Sequence, residues 1–332
     1  MSNIPWIEKY RPINIEHIIA EKNILTEIEN IIKNKNIPNI ILTGTPGVGK
    51  TTTILCIARK LYGPYMKDAV LELNASDDRG IKSINIDVSN FCSYKLPYSN
   101  EDEKKYAKHK LIIFDEADNM TEKALPIISQ LMDQYHNTTR FVFTCNSSSK
   151  IIEAIQSRCK IIRYVRLESY MIVSRLEDIC EIEKIKYDKN SLQKLSDICN
   201  GDMRMAINML QLCYNRFNII NDDSITQICE LPSNVIIKEI LVDATTNKLK
   251  SAIDKIYKLR NQGYSVSDIL NTIFVTLKST QFNLFDDNLR FQIMYILSSY
   301  LYVISKNNDT DLQLTSFMID ISKINKKLNL LT

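Results

Sequence analysis

Residues 39–52 read NIILTGTPGVGKTT, and this stretch decides the fold. Its first half, NIILTG (39–44), is a short aliphatic run closed by glycine, the pattern of a buried strand. Its continuation, TTTILCIARKLYG (51–63), is an amphipathic helix stopped at Gly63-Pro64. Between them GTPGVGKT (44–51) matches G-x-x-x-x-G-K-[ST] in the strand–loop–helix context that the motif requires. The whole chain has seven glycines and three of them, Gly44, Gly47 and Gly49, stand in this loop, so chance is a poor explanation. Glycines here let backbone N–H groups curl around phosphate oxygens at a helix N-terminus. Lys50 is placed to reach the β- and γ-phosphates of ATP, and the Thr51 hydroxyl to ligate Mg²⁺.

Outward from this loop, strand and helix signals alternate. AVLELNAS (69–76), LIIFDEAD (111–118), RFVFTCN (140–146) and KIIRYVRL (160–167) read as four further strands. The alternation predicts an α/β domain, a mostly parallel sheet with helices on both faces. The charge run YSNEDEKKYAKHK (98–110) is expected to be a solvated surface loop. After about residue 167 the strand signals stop. Residues 168–228 carry three amphipathic runs, SYMIVSRLEDICEIEKI, NSLQKLSDIC and DMRMAINMLQLCYN, which predict a small helical domain. Pro232 marks a boundary, and from 233 onward the chain reads as all helix. The expected division is 1–167, 168–230 and 231–332.

Three more polar positions carry candidate chemistry. LIIFDEAD delivers Asp115 at a strand's C-terminal end, where ligands bind in open α/β sheets, and Asp115 would hold the Mg²⁺ shell. Glu116, next along, is placed to polarise a water, which favours ATP hydrolysis over transfer to another substrate. Asn146 ends RFVFTCN, where it can hydrogen-bond a γ-phosphate or the attacking water; an Asn at a strand end is also a common turn former. Two arginines are ambiguous on their own. Arg204 opens a helix after the Gly-Asp turn of NGDMR (200–204), and Arg158 lies in IQSRCK (155–160), a polar turn between a helix-like run (150–155) and a strand. Either reads alone as a solvated surface charge.

Composition sets the limits. With 332 residues and 45% hydrophobic content, the chain can bury two or three cores. At 24% charged residues and a net charge of +3 it has no acidic tail and no basic nucleic-acid arm, so any nucleic-acid contact must come from spatial arrangement. Eight cysteines without a C-x-x-C predict reduced, buried thiols, and three scattered histidines argue against a metal centre built from side chains. The N-terminus MSNIPWIEKYRP lacks the apolar run of a signal peptide. FQIMYILSSYLYVIS (291–305) is too short and too polar to span a bilayer and reads as a buried helix. The expectation is a soluble, intracellular protein that does not engage a membrane.

Seven boxes together resemble the small subunits of replication factor C, the sliding-clamp loader, within the AAA+ ATPases. They are WIEKYRP (6–12), GTPGVGKTT (44–52), LELNASDDRGI (71–81), IIFDEAD (112–118), NTTRFVFTCN (137–146), IIEAIQSRC (151–159) and GDMRMAIN (201–208), in the family's order and spacing. The C-terminal part, with GYSVSDILNTIFVTLK (263–278), resembles that family's helical collar. The resemblance implies an AAA+ nucleotide-binding core, a helical lid and an all-helical collar or oligomerisation domain.

It also implies roles. Gly44, Thr45, Pro46, Gly47, Val48, Gly49, Lys50, Thr51 and Thr52 match the nucleotide-binding loop. Ile7, Tyr10, Arg11, Pro12 and Ile19 match the segment that walls the adenine. Asn146 matches the core sensor, Arg204 the lid sensor, and Asn74 the polar partner that holds Glu116 off the water. Arg158 matches the arginine finger, which in the family points into the neighbouring subunit's site. Arg79 and Lys82 are the better DNA-binding candidates, because Ser129 and Gln130 stand where the family carries two arginines, and Asn85 and Asp87 stand on a helix that is usually more basic.

The implied function is an ATP- and Mg²⁺-dependent subunit that opens the clamp and loads it on primer–template DNA in the nucleus. The implied partners are one large and several small subunits of replication factor C, a clamp of the proliferating cell nuclear antigen type, and the DNA. Two alternatives stay open at this stage: a subunit shared with a checkpoint or cohesion loader, and an adaptor that holds ATP without hydrolysing it. A helicase or remodeller would require an aromatic substrate-threading loop, which the sequence does not present.

Overall fold

The computed structural model describes residues 4–75, 81–97, 102–228, 234–246, 248–278, 285–306 and 310–328. Five strands, β1 (Ile40–Thr43), β2 (Val70–Asn74), β3 (Lys110–Asp115), β4 (Thr139–Cys145) and β5 (Lys160–Arg163), form one sheet in the order β2-β3-β4-β1-β5. Every neighbouring pair is parallel. The chain leaves β1 toward β2 on one side and later returns to β5 on the other. The order therefore reverses beside β1 and sets the loop after β1 over a crevice. β1, β3 and β4 are buried along nearly their whole length, which is why they read as unbroken aliphatic runs.

A short helix α1 (Trp6–Lys9) comes first, and α2 (Lys22–Asn34), α3 (Lys50–Tyr62), α4 (Ile81–Ser93), α5 (Ala124–Gln134) and α6 (Glu153–Gln156) surround the sheet. On one face Ile28 and Ile31 of α2 and Ile54, Ile57 and Leu61 of α3 pack on Ile40, Leu42, Leu111, Ile113 and Val142. On the other, Val88 of α4 and Leu125, Ile128 and Met132 of α5 pack on Ile41, Ile112, Phe114, Phe141 and Phe143. The period-two split of each strand between these cores fixes the register, and Phe114 stacks on Phe143 across it at 5.3 Å.

Three helices follow, α7 (Ser169–Glu183), α8 (Lys189–Cys199) and α9 (Met203–Phe217). Each ends on a residue in the left-handed region, Lys184, Asn200 and Asn218, the usual way to turn a chain after a helix. Strand structure does not stop at residue 167: β6 (Lys186–Tyr187) and β7 (Ile219–Ile220) pair in parallel. Two residues each are too few to leave a period in the sequence. Other local readings need correction. The strand expected over 160–167 ends at Arg163, and the helix expected over 150–155 is split into a 3₁₀ turn (Ser148–Lys150) and α6.

The run 98–110 is not wholly a solvated loop. Within its described part Asp102–Lys105 is helical, and His109 and Lys110 are buried at 6% and 4% exposure. Lys110 donates from Nζ to the carbonyls of Phe91, in the last turn of α4, and of Tyr94, just after it, so its charge caps that helix end.

The contacts divide the chain into two compact units, Met1–Asp222 and Asp223–Thr332. The second contains α10 (Asn234–Thr245), α11 (Leu249–Asn261), α12 (Val266–Lys278), α13 (Asp287–Ser305) and α14 (Asp311–Leu328) around a core including Leu241, Leu270, Leu297 and Phe317. α13 is not buried all round. Ile293, Leu297 and Ile304 face the core, while Phe291, Tyr295 and Tyr302 are 67%, 80% and 62% exposed. The two sets are two residues out of step, about 200° apart on a helix. Among the described residues no helix is long and apolar enough to cross a membrane. Seven described cysteines are free thiols, six of them buried; Cys229 and Pro232 lie outside the described residues.

Candidate nucleotide site

The loop after β1 closes a cavity of about 360 Å³ at the C-terminal end of the sheet. Gly47 and Gly49 have φ of 74° and 93°, a region that side chains disfavour, and Gly49 caps α3. Gly47 also has no room: a Cβ there would lie 1.8 Å from Asp202 Oδ1. Lys50 opens α3 and turns back under the loop. Its Nζ donates to Gly44 O at 2.7 Å, Thr45 O at 2.9 Å and Asn146 Oδ1 at 3.2 Å. Burial pulls the Lys50 ammonium below its ordinary pKa, opposed by nearby negative charge that includes Asp115 and Asp118.

Asp115, the last residue of β3, collects donors. Thr51 Oγ1 lies 2.9 and 3.2 Å from its two carboxylate oxygens, and the Thr144 hydroxyl donates to Oδ1. Glu116 sits in the left-handed region at φ 54°, with its N–H 3.2 Å from both Asp115 Oδ1 and Thr144 Oγ1. A non-glycine residue held there stores strain of about 1–3 kcal/mol, and such strain clusters at functional sites. The Glu116 side chain accepts from Asn119 Nδ2 at 3.2 Å. Asn74 stands across the ladder from Asp115, at the end of β2.

The cavity gathers most of the residues picked from sequence. Pro46, Gly47, Val48, Gly49, Lys50, Thr51 and Thr52 line its loop side, and Asp115, Glu116 and Asn146 its polar end. Ile7, Tyr10, Arg11, Pro12 and Ile19 line the N-terminal side, and Arg204 enters from α9. Gly44 and Thr45 lie behind the loop, where their carbonyls hold Lys50. Two oxygen donors, the Thr51 hydroxyl and the Asp115 carboxylate, converge as a hard cation such as Mg²⁺ requires when phosphates and water complete its shell.

The N-terminal wall is fastened to the helices beyond residue 167. Trp6 is 7% exposed, stacks on Tyr214 at 5.5 Å, and donates from its backbone N–H to Gln211 Oε1 at 2.9 Å. Tyr10 and Lys9 both donate to Glu183 Oε1 at 2.5 Å, and Arg175 Nη2 donates to Tyr10 O at 3.0 Å. Asp202 caps α9 by accepting from Met205 N at 3.0 Å, and Met203 N reaches Gly47 O at 3.3 Å. The helix that carries Arg204 thus starts against the phosphate loop.

Arg158 lies outside the cavity. It is 39% exposed and forks onto Asp133 of α5, with Nε–Oδ1 2.8 Å and Nη2–Oδ2 2.9 Å. Of the DNA candidates, Arg79 lies outside the described residues, as does the side chain of Lys82, which belongs to α4. Ser129 is buried at 7% exposure while Gln130 is exposed. Sequence reading missed Thr144, Asn119, Arg175, Asp202 and Asp133. Thr144 and Asp202 each lie two residues before a residue that was picked, Asn119 lies three residues after Glu116 in the turn it closes, and Arg175 and Asp133 act across the fold, where no local pattern announces them.

The sequence matches the family described as "ATPase family associated with various cellular activities (AAA)" over residues 40–167. It matches "RCF1/5-like, AAA+ ATPase lid domain" over 174–214 and "Replication factor C C-terminal domain" over 232–320. It is 41% identical over 277 residues to "Probable replication factor C subunit 2" of Dictyostelium discoideum, covering 83% of this chain and 80% of that one. It is 37% identical over 326 residues to "Replication factor C subunit 4" of Saccharomyces cerevisiae, covering 98% and 97%. A solved structure of the Thermotoga maritima RuvB Holliday junction branch migration motor shares the fold, with TM-score 0.54, 15% identity and coverage of 81% and 85%. A phosphate loop on a five-stranded parallel sheet, a helical lid and a helical C-terminal domain, matched over nearly the full length by such relatives, place this chain in the family of replication factor C small subunits, with an AAA+ ATPase core.

Proposed function

We propose that this chain is an ATP-hydrolysing clamp-loader subunit whose site is completed by the neighbouring subunit. One observation carries the reading: Lys50, Thr51, Asp115, Glu116, Asn146 and Arg204 meet in one cavity, while Arg158 stands outside it on the surface. The working division is a core (1–167), a lid (168–230) and a collar (231–332). The partners are one large and several other small subunits, a ring clamp of the proliferating cell nuclear antigen type, and primer–template DNA, in the nucleus. Arg79 and Lys82 contact the duplex phosphates.

In this mechanism the adenine lies against Ile7, Pro12 and Ile19, and the triphosphate lies along the loop toward Lys50. The Lys50 ammonium is held beneath the loop by three oxygen partners and exchanges some of them for β- and γ-phosphate oxygens when ATP binds. Thr51 and Asp115 would hold Mg²⁺, which would neutralise phosphate charge. Asn146, bonded to Lys50, fixes the terminal phosphate. Glu116 takes the proton of the attacking water, and its constrained backbone and its bond to Asn119 set its direction.

The test is single-turnover hydrolysis in reconstituted complexes in which either only this chain's site or only the site facing Arg158 is competent. Arg158→Ala is expected to leave the first nearly unchanged and to slow the second by about 10³-fold. Loss confined to this chain's own site would refute the reading.

A further inference from the structure

The isolated chain already holds Arg158 in a defined pose. A guanidinium has five N–H donors in a rigid plane. Nε and Nη2 donate to the two oxygens of Asp133 at 2.8 and 2.9 Å, and Nη1 donates to Ala154 O, four residues back, at 2.7 Å. That leaves one N–H on each terminal nitrogen. Such an end-on pair matches two oxygens of one phosphoryl group. The base of this arrangement is firm. Asp133 is in the last turn of α5, whose Leu131 and Met132 are buried beneath the sheet, and Ala154 belongs to α6, anchored by the fully buried Ile155. The ion pair also holds the Asp133 carboxyl below its ordinary pKa, chiefly through the hydrogen bonds from Arg158, so it stays ionised at neutral pH.

We propose that Asp133 is a positioning residue for Arg158: its carboxylate clamps the side edge of the guanidinium and leaves the terminal pair directed outward, toward the terminal phosphate of a nucleotide on the neighbouring subunit. This rests on the reading of Arg158 as a finger that acts in trans. Without the clamp, a long side chain with several free torsions must be ordered at the moment of reaction. Prior ordering is what makes a catalytic contact effective. The neighbouring carboxylate also offsets part of the arginine's charge, so Asp133 contributes to the reaction only if the gain in orientation exceeds that loss.

The experiment uses the reconstituted complex in which only the neighbour's site is competent, with single-turnover hydrolysis and equilibrium ATP binding measured on the same preparations. Asp133→Ala is expected to slow hydrolysis at that site about tenfold with ATP affinity unchanged, consistent with a lost orientation effect. Asp133→Glu, which keeps the carboxylate, should recover most of the rate. In an Arg158→Ala background, Asp133→Ala should cause no further slowing. A rate within twofold of wild type for Asp133→Ala overturns the proposal. So does equal slowing with and without Arg158, which marks a structural role. If Arg158→Ala itself leaves the neighbour's site unaffected, the finger reading fails and the proposal fails with it; if Arg158→Ala is slow and Asp133→Ala is not, the proposal fails alone.

Discussion

Trp6→Ala tests how the N-terminal wall of the cavity is held. Trp6 is 7% exposed, stacked on Tyr214 at 5.5 Å and edge-on to Tyr10 at 6.1 Å. Truncating an indole in such a site removes about 3–5 kcal/mol of packing. The ties that remain are the backbone bond from residue 6 to Gln211, the Lys9–Glu183, Tyr10–Glu183 and Arg175–Tyr10 hydrogen bonds, and the contact of Pro12 O with Cys56 Sγ. Together these contribute about 1–3 kcal/mol. The wall therefore passes from firmly docked to near balance. Apparent ATP affinity falls as the inverse of the docked fraction, about 2-fold at balance and about 6-fold if undocking is favoured by about 1 kcal/mol. The assay pairs ATP binding with limited tryptic cleavage after Lys9, which is expected to accelerate in the variant and to slow again with saturating ATP. Unchanged affinity together with unchanged cleavage would show that Trp6 does not hold the wall. Faster cleavage with wild-type affinity would show that the wall does not serve the nucleotide.

Glu116→Gln should keep ATP binding within a few fold and abolish single-turnover hydrolysis, because the amide preserves shape without basicity; hydrolysis at the wild-type rate would remove Glu116 as the base. Stability should fall on acidification through His109. Burial, with Arg140 nearby, lowers its folded pKa to about 4, so the unfolded chain takes up the proton first. The penalty is absent above about pH 6.5, grows as pH falls, and levels near pH 4 at about 3 kcal/mol. Urea midpoints of His109→Phe should lack that component, and an identical acid slope would exclude it. Gly47→Ala should weaken ATP binding by about tenfold or more, since the new methyl meets Asp202 in a left-handed backbone; an unchanged affinity would show that the loop and α9 move apart freely.

The sheet was legible because β1, β3 and β4 are buried on both faces and so appear as aliphatic runs. The phosphate loop was legible because Gly47 and Gly49 need backbone conformations that other residues resist. The two-residue strands β6 and β7 were not, since a pair of residues has no periodicity. Lys110 was misread because a charged side chain normally signals solvent, whereas here it is satisfied by carbonyls 16 and 19 residues away in sequence. The wide apolar content of α13 similarly concealed that Phe291, Tyr295 and Tyr302 face outward. The chemistry at Asp115 and Glu116 could be placed from the strand end, but their hydrogen-bond partners Thr144 and Asn119 depend on packing and on a turn of unusual φ. Arg158 was visible as a residue, and its clamp on Asp133, 25 positions away, was not.

The central claim is that one chain binds ATP through Lys50 and yet needs a neighbour to hydrolyse it. Its most direct test is to measure ATP–Mg²⁺ binding and turnover on the same monodisperse sample of the isolated chain, wild type and Lys50→Ala. The account predicts stoichiometric binding with very slow turnover for the wild type, and loss of binding by about 10²-fold or more for Lys50→Ala, since its ammonium is the cation beneath the loop. Robust turnover by a proven monomer, or undiminished binding by Lys50→Ala, would contradict it.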